Sequence, residues 1–384
     1  MQALITCPFG LVSLLSKEMK RLNIPIVAQH TTALLVETDG QGIPLINLRS
    51  RIANKVFLLM GEKEVMTFDA LFDFVQSLAW KEYLQTDNIS LKVTTKNSQL
   101  SAIRTLQSVA HKAILSSLQI PLMRAPHEAT GKGEKGGSIQ KTPPSSQVEI
   151  FLHLEENQAK MLLNTSGASL HQRGYRTQAG SAPLKENIAA AMVLLAGWKF
   201  KSPLIDPCCG SGTIPIEAAL IAKNIAPGLQ RTFAFQQFKN YDKELRDNLL
   251  REAKAQQFEG NYQIFGADSD ENVLSRAKQN AERAGVGDQI SFFCSTLGQG
   301  VATPCSGSQT WLLTNPPYGK RLSSAENLSP LYQELASALQ HDQYFGGVIS
   351  SFPEMKKLFD SERFSHKTLY NGADKVAFYR KKPL

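Results

Sequence analysis

The sequence contains no apolar run long enough for a membrane span and very little cysteine. No stretch of its 384 residues approaches the roughly 20 consecutive apolar residues that a transmembrane helix needs. The five cysteines form no CxxC pair, and the adjacent Cys208 and Cys209 cannot readily hold one tetrahedral ion together, so no metal site is predicted. The opening residues lack a basic segment and a cleavage site, which favours a cytoplasmic location.

The glycine-rich stretch LIDPCCGSGT, residues 204–213, lacks the features of two common nucleotide-binding motifs. No third glycine stands three residues after Gly212, which argues against the dinucleotide-binding fingerprint. No lysine follows the turn, which argues against a P-loop. A ligand bound here is therefore not expected to present a phosphate to this turn.

The chain is long enough for more than one core, and its pattern divides it into three parts. Residues 1–60 and 61–164 each mix short strands with helices, which predicts two α+β domains. Over residues 165–384 strands alternate with helices, which predicts an α/β domain built on a parallel sheet. The segment Gly131 to Gln147 is rich in Gly, Ser, Pro and Lys, and it predicts a mobile loop.

The expected sheet of the third part has seven strands, each marked by a short apolar run between turn residues. The strands are predicted at Leu204 to Asp206, Tyr262 to Ala267, Ile290 to Cys294, Thr310 to Thr314, Tyr344 to Ser350, Lys367 to Tyr370 and Lys375 to Arg380. The predicted fold class is thus α/β, with helices on both faces of a mostly parallel sheet.

A strand, the glycine turn and a helix succeed one another over residues 204–223. This arrangement brings backbone N–H groups and a helix N-terminus to a nucleotide-like ligand. Asp268 ends the next strand, where a carboxylate can accept both hydroxyls of a ribose, while Asp270 suits a cap for the following helix. Asp206 can hold an α-amino group or brace the turn. Together these features predict a nucleoside ligand without a phosphate, such as S-adenosylmethionine.

The stretch TNPPYGKR, residues 314–321, places an amide and an aromatic ring at the end of another strand. Its two prolines stiffen the turn. The Asn315 side-chain oxygen and a carbonyl of Pro316 or Pro317 can accept the two hydrogens of a nucleobase amine. Tyr318 can stack on a flipped or unpaired base. These four residues are the predicted catalytic motif.

With both motifs, the chain resembles the THUMP-domain RNA methyltransferases. In particular, it is similar to the family of the bacterial 23S rRNA guanine-N2 methyltransferase, often labelled putative N6-adenine-specific DNA methylase. The likeness includes DPCCGSGTIPIEAA and TNPPYGKRL, and it extends to ALITCPFGLVSLLSKEMKRL, LHQRGYR, APLKENIAAAM and LYNGADKVAFYR. It runs nearly from end to end.

The resemblance implies a ferredoxin-like N-terminal domain, a THUMP domain that captures structured RNA, and a class I methyltransferase domain that uses S-adenosylmethionine. The implied cofactor site consists of Asp206, Cys208, Gly210, Ser211, Gly212, Thr213 and Asp268, with Asp270, Ser295 and Pro183 beside it. Family members often carry an acid near the adenine where this chain has Cys294-Ser295-Thr296. Backbone or hydroxyl contacts to the adenine are expected there instead.

The expected partner is structured RNA, most simply ribosomal RNA, and no membrane association is expected. The net charge of +8 and the sequence pI of about 9.1 fit a polyanion. The candidate phosphate contacts are Lys92, Lys96, Arg104 and Lys112 in the THUMP-like part, and Arg173 and Arg176 ahead of the catalytic domain. Few aromatic residues are interleaved with them, which favours recognition of folded RNA by its shape and backbone.

The sequence leaves three functions open. Methylation of the N2 amine of a guanine in 23S ribosomal RNA is the first expectation. Methylation of adenine N6 or cytosine N4, in RNA or DNA, would suit the same motif, since each is a planar exocyclic amine. A non-catalytic RNA-binding assembly factor is the third, although the intact Asn315, Tyr318 and Asp268 favour an enzyme.

Overall fold

The computed structural model describes residues 1–120, 147–176, 184–295, 309–317, 329–359 and 362–382, which fold around two seven-stranded sheets. The predicted loop from Gly131 to Gln147 lies, except for Gln147, outside these residues. Among the residues described, no helix is long and apolar enough to cross a membrane.

The first sheet is mainly antiparallel. Its strands are β1 (Gln2–Thr6), β2 (Ile26–Gln29), β3 (Ala33–Glu37), β4 (Lys55–Glu64), β5 (Ile89–Lys96), β6 (Val148–Glu155) and β7 (Gln158–Asn164). Its helices are α1 (Val12–Arg21), α2 (Gly42–Arg49), α3 (Phe68–Gln76), α4 (Trp80–Tyr83) and α5 (Ile103–Leu118). The strand order is β2-β3-β1-β4-β7-β6-β5, and only β5 and β6 pair in parallel within it.

Strand β4 joins the two predicted N-terminal domains into one sheet. It pairs with β1 on one side and with β7 on the other, so the boundary predicted between residues 60 and 61 falls inside a strand. Residues 61–64, GEKE, form the polar end of this strand. These residues nevertheless pair with β7, and their charged side chains are exposed on the sheet. The division into three domains stays a prediction.

The second sheet has the order β10-β9-β8-β11-β12-β14-β13. Its strands are β8 (Leu204–Asp206), β9 (Ile264–Asp268), β10 (Ile290–Cys294), β11 (Thr310–Thr314), β12 (Tyr344–Ser350), β13 (Phe364–Asn371) and β14 (Asp374–Lys381). Its helices are α6 (Glu186–Ala196), α7 (Thr213–Ala222), α8 (Lys243–Ala255), α9 (Glu271–Arg283), α10 (Ser329–Gln340) and α11 (Met355–Leu358). The first five strands in this order are parallel, and β14 runs antiparallel to both of its neighbours, β12 and β13, which confirms the predicted α/β fold.

Helix α7 lies between the second sheet and the N-terminal part, and nearly all of its side chains are buried. Near its C-terminal end, the guanidinium of Arg51 donates to the carbonyls of Leu220 and Ile225. The N–H of Gly228 donates to the carbonyl of Leu48, and a Cβ at Gly228 would lie only 2.8 Å from the Cα of Leu48. The N-terminal part therefore packs directly against the helix that follows the glycine turn.

Candidate active site

The carboxyl ends of four neighbouring parallel strands, β10, β9, β8 and β11, meet at one edge of the second sheet. The register pairs are Asp206 with Gly266, Asp268 with Cys294, and Ile205 with Leu312. The glycine turn after β8 and Asn315 after β11 therefore leave the sheet from adjacent strands, which in a sheet run about 4.8 Å apart. This is the edge at which open α/β sheets bind ligands.

The glycine turn depends on two backbone conformations that favour glycine. Gly210 has φ +54° and Gly212 has φ +81°, and a Cβ at Gly212 would lie 3.1 Å from the Cβ of Ala277. Gly212 is the N-cap residue of helix α7, and as a glycine it offers the first N–H groups of the helix no side-chain acceptor. A Cβ at Gly210 would meet nothing within 4 Å, which shows that the turn borders open space.

Asp206 lies beneath the glycine turn and is almost entirely buried. Its carboxylate accepts a hydrogen bond from the Thr314 hydroxyl at 2.7 Å and one from the Cys208 N–H at 3.1 Å. Burial raises the pKa of Asp206 to about 7, although these two hydrogen bonds oppose that shift. Asp206 thus braces the turn, as one of its two predicted roles required, and it links the turn to the strand that precedes Asn315.

Asp268 ends strand β9 beside the same turn, and Asp270 follows it two residues later. One carboxylate oxygen of Asp268 accepts from the Gly210 N–H at 2.9 Å, and the other accepts from the Asp270 N–H at 3.2 Å. Asp270 caps helix α9 by accepting from the Asn272 N–H at 2.8 Å, which confirms its predicted cap. The N–H of Ser295 donates to the main-chain carbonyl of Asp268. A carboxylate at the tip of β9 is therefore held next to the glycine turn.

Asn315 carries an unsatisfied acceptor. The residue is half-buried, and its Oδ1 atom is hidden from water without a hydrogen-bond partner among the described residues. Buried side-chain oxygens almost always have a donor, since an unpaired one costs about 1–3 kcal/mol. The oxygen that is predicted to accept from the substrate amine thus has no donor among the residues that the structure describes.

The turn after Asn315 is fixed by a tyrosine from helix α10. The hydroxyl of Tyr332 donates to the carbonyl of Pro317 at 3.1 Å and hydrogen-bonds the Ser350 hydroxyl at 2.7 Å. The Tyr332 ring stacks on Phe352, with ring centroids 4.4 Å apart. The predicted residues Tyr318 and Pro183, by contrast, lie outside the described residues.

Arg176 does not lie on an RNA-facing surface, contrary to the sequence prediction. Only 9% of its side chain is exposed, and its guanidinium donates to the Thr213 hydroxyl at 2.6 Å and to the Leu184 carbonyl. It also lies 3.6 Å from the Glu186 carboxylate. Arg176 therefore supports the start of helix α7, next to the glycine turn.

Arg173 is also buried, and the prediction that it contacts RNA is wrong. Its side chain is 2% exposed and donates to the carbonyls of Leu170 and Arg51. It forms an ion pair at 3.4 Å with Glu217 of helix α7, and the Tyr175 hydroxyl donates to the same carboxylate. The sequence RGYR looked like a basic surface patch because its buried acid, Glu217, is 44 residues away.

The other four candidate RNA contacts lie on the surface of the first sheet and its helix. Lys92 and Lys96 on β5 are exposed, but each is paired with an acid, Glu149 and Glu155 respectively. Arg104 and Lys112 on α5 are exposed as well. Contact between these four residues and RNA stays a prediction.

Sequence reasoning missed two residues that organise the site. Thr314 donates to Asp206, and Tyr332 fixes the Pro317 carbonyl. Thr314 is the first residue of the TNPPY stretch, and its position at the end of a strand could have indicated a role in the site. Tyr332 offered none, because its apolar ring fits the buried face of α10 equally well.

Two protein-family models match parts of this chain. Residues 173–377 match the model of the RMKL-like methyltransferase domain, and residues 2–57 match that of the RlmL ferredoxin-like domain. The chain belongs to the RMKL-like methyltransferase family. This membership confirms the predicted class I methyltransferase fold, the ferredoxin-like start and the class of S-adenosylmethionine-dependent methyltransferases.

The RMKL-like chain also has relatives along its whole length. It is 32% identical to the "Putative RNA methyltransferase YpsC" of Bacillus subtilis, over 98% of this chain and 94% of that protein. It is 32% identical to the "Ribosomal RNA large subunit methyltransferase K/L" of Pseudomonas entomophila over 96% of this chain, but it spans only 50% of that longer protein. The crystal structure of SMU.472, "a putative methyltransferase complexed with SAH", has a TM-score of 0.84 and 29% identity, covering 100% of this chain and 98% of that one.

Proposed function

We propose that the chain transfers a methyl group from S-adenosylmethionine to the exocyclic N2 of a guanine in 23S ribosomal RNA. The observation that carries this proposal is that Asn315 Oδ1, just after the strand next to the glycine turn, has no hydrogen-bond donor among the described residues. A substrate N–H would supply the donor that this oxygen lacks. The ribosomal RNA methyltransferases among the relatives support RNA as the substrate.

The amine is held by two acceptors in this proposal. Its lone pair is delocalised into the base, so the amine needs to be oriented before it can attack. Asn315 Oδ1 accepts one hydrogen and the carbonyl of Pro316 accepts the other, while the Pro317 carbonyl accepts from Tyr332. Both oxygens then stabilise the positive charge that develops on the nitrogen during transfer. Tyr318 supplies a face on which the base stacks.

The cofactor lies along the glycine turn in this proposal. Its contacts are Asp206, Cys208, Gly210, Ser211, Gly212 and Thr213, with Asp268, Asp270, Ser295 and Pro183 beside the adenosine. Asp268 receives the ribose hydroxyls and Asp206 the α-amino group. The bound sulfonium supplies the electrophilic methyl group. The open space beside Gly210 and the glycine N-cap of α7, which leaves no side chain of its own over the helix start, support this placement.

RNA reaches the site along the first sheet in this proposal. Residues 61–164 form the THUMP domain, and Lys92, Lys96, Arg104 and Lys112 contact phosphates. The exposure of all four side chains supports that role. Such contacts make binding weaker as salt rises, because each neutralised phosphate releases a counterion. A cytoplasmic location belongs to the same proposal.

Identification of the methylated nucleoside tests the proposed function. Ribosomal RNA from a strain lacking this protein is incubated with the enzyme and labelled S-adenosylmethionine, then digested and analysed by mass spectrometry. We expect label in N2-methylguanosine. Label in N6-methyladenosine or N4-methylcytidine would contradict the guanine assignment. If calorimetry found no S-adenosylmethionine binding at millimolar concentration, a non-catalytic RNA-binding factor would replace the enzyme.

The affinity for S-adenosylmethionine should depend on pH through Asp206. The charged carboxylate is the form that attracts an ammonium group, and its pKa of about 7 means that it becomes neutral as the pH falls. We expect the dissociation constant to be nearly constant above about pH 7.5 and to rise up to about tenfold per pH unit below pH 6.5. Calorimetric titrations across this range measure the effect.

The matched variant for this experiment is Asp206→Asn. It keeps an acceptor for the Thr314 hydroxyl but carries no charge at any pH. Its affinity should be lower than that of the wild type at pH 8 and should not vary with pH in the same range. An equal slope in both proteins would show that another group is responsible.

A further inference from the structure

Two exposed aromatic rings, Phe9 and Tyr370, form a pair that joins the two halves of the molecule. Phe9 precedes helix α1 of the first sheet, and Tyr370 stands on β13 of the second sheet. Their ring centroids lie 5.6 Å apart with the planes at 86°. They are 41% and 38% exposed, so large parts of both rings face solvent. Exposed aromatic residues are common in surfaces that bind nucleobases.

The pair lies at the edge of the sheet that carries the candidate active site. Strand β12 runs parallel to β11, and its last residue, Ser350, pairs with Ala377 of the antiparallel β14. Tyr370 pairs with Lys375, which lies beyond Ala377 in the direction of that edge. From β11 across β12 and β14 to β13 there are three strand spacings, or about 14 Å. Tyr370 and the strand that precedes Asn315 thus reach the same edge of the sheet, three strand spacings apart.

The surrounding backbone holds the rings in place. Gly10, with φ +82°, packs against β13 so closely that a Cβ there would lie 2.6 Å from the carbonyl oxygen of Thr368. The side-chain oxygen of Asn371 accepts a hydrogen bond from the Lys185 N–H at 3.1 Å. The β13–β14 turn is therefore tied to the start of helix α6. A platform held in this way loses little conformational entropy when a ligand binds.

Two lysines lie near the rings, Lys375 on the face of the sheet that carries Tyr370 and Lys367 on the opposite face. Lys375 is directly opposite Tyr370 on the neighbouring strand, and the Cε of Lys367 lies 3.7 Å from the position of a Cβ on Gly10. Neither lysine forms an ion pair with a residue that the structure describes. Asp374 is the acid of the adjoining turn. The local excess of positive charge suits a phosphate backbone beside a stacked base.

We propose that Phe9 and Tyr370 form a stacking platform for an unpaired base of the substrate RNA, next to the guanine that reacts. The platform rests on the proposed function. At about 14 Å from the strand of Asn315, it is too distant for the reacting base itself and suits a neighbouring nucleotide of the same strand. Lys367 and Lys375 bind the phosphates on either side of the stacked base. The N-terminal half thus contributes one ring directly to the substrate site.

The test compares Phe9→Ala and Tyr370→Ala with the wild type in the full-length protein. Binding of a short fluorescein-labelled single-stranded RNA is measured by anisotropy, and methylation of ribosomal RNA from the strain lacking the protein gives kcat and KM. We expect each variant to bind RNA about tenfold or more weakly, because stacking contributes about 1–3 kcal/mol per base. KM for RNA should rise, while the affinity for S-adenosylmethionine should not change.

The ring-keeping variants Phe9→Tyr and Tyr370→Phe should bind RNA within about twofold of the wild type. Phe200→Ala is the matched control, since Phe200 is also 38% exposed and paired with aromatic rings but precedes β8 at the opposite edge. If an alanine variant is unstable, Phe9→Leu keeps the apolar packing and removes the stacking face. Lys375→Gln should reduce the salt dependence of binding by about one ion.

Unchanged RNA affinity in stable Phe9→Ala and Tyr370→Ala proteins would overturn the platform. Equal losses in the ring-keeping variants would overturn it as well, because they would indicate a packing role only. Failure of the proposed function gives a different result, since the wild-type enzyme would then place no label in N2-methylguanosine, whereas failure of the platform would leave that product unchanged.

Discussion

An Asn315→Ala variant should bind S-adenosylmethionine as tightly as the wild type and methylate RNA about 100-fold or more slowly. The substitution removes the acceptor that orients the amine, and the loss of one preorganised hydrogen-bonding group of this kind typically lowers turnover by a factor of about 10²–10³. The fold should be unaffected, because Asn315 Oδ1 has no protein partner among the described residues that the substitution could break. Single-turnover assays and calorimetry measure the two effects separately.

Two further variants make this result specific. Asn315→Asp keeps an acceptor oxygen and should retain more activity than the alanine variant. Asn248→Ala, on helix α8, removes an amide that accepts a hydrogen bond from Arg251 of the same helix and should leave turnover unchanged. If Asn315→Ala kept the turnover of the wild type, Asn315 would have no part in the chemistry.

An Arg173→Met variant should lower the free energy of unfolding by about 3–5 kcal/mol. Arg173 and Glu217 are buried together, and removing Arg173 takes the ion-pair partner from a carboxylate in a site that water does not reach. One carboxylate oxygen of Glu217 already lacks a partner within the described part of the chain. Urea denaturation followed by circular dichroism measures the change.

The matched control for this effect is Lys96→Met, which breaks the exposed ion pair with Glu155. We expect little measurable change in stability there, because solvent screens exposed pairs. The double variant Arg173→Met/Glu217→Leu should recover part of the loss, since no unpaired charge remains. An Arg173→Met protein with native stability and weakened RNA binding would instead restore the surface role that the sequence suggested.

The elements of the second sheet could be predicted from sequence because their signals are local. Strand β11, Thr310–Thr314, is buried at every position and ends at a proline-containing turn, so its end could be found without other information. The same is true of Asp270, whose cap depends on residues two and three positions away. Local chemistry therefore identified both sides of the candidate cleft.

Features that depend on distant partners could not be predicted in this way. Arg173 is indistinguishable from a surface arginine until Glu217 is brought beside it. Strand β4 likewise carries a polar end that pairs with β7, about a hundred residues later in the chain. Neither the ion pair nor the strand pairing leaves a periodic signal in the sequence.

The continuity of β4 limits how members of this family can exchange parts. A recombination event that joined the first 57 residues of one relative to the remainder of another would splice two halves of a single ten-residue strand. Strand β4 of the hybrid would have to pair with β1 and with β7 at once, and it would have to keep the register shift between Leu59 and Gly61. A crossover after β7 would leave the whole first sheet intact. Exchange of the first sheet as one unit therefore disturbs the strand pairing least.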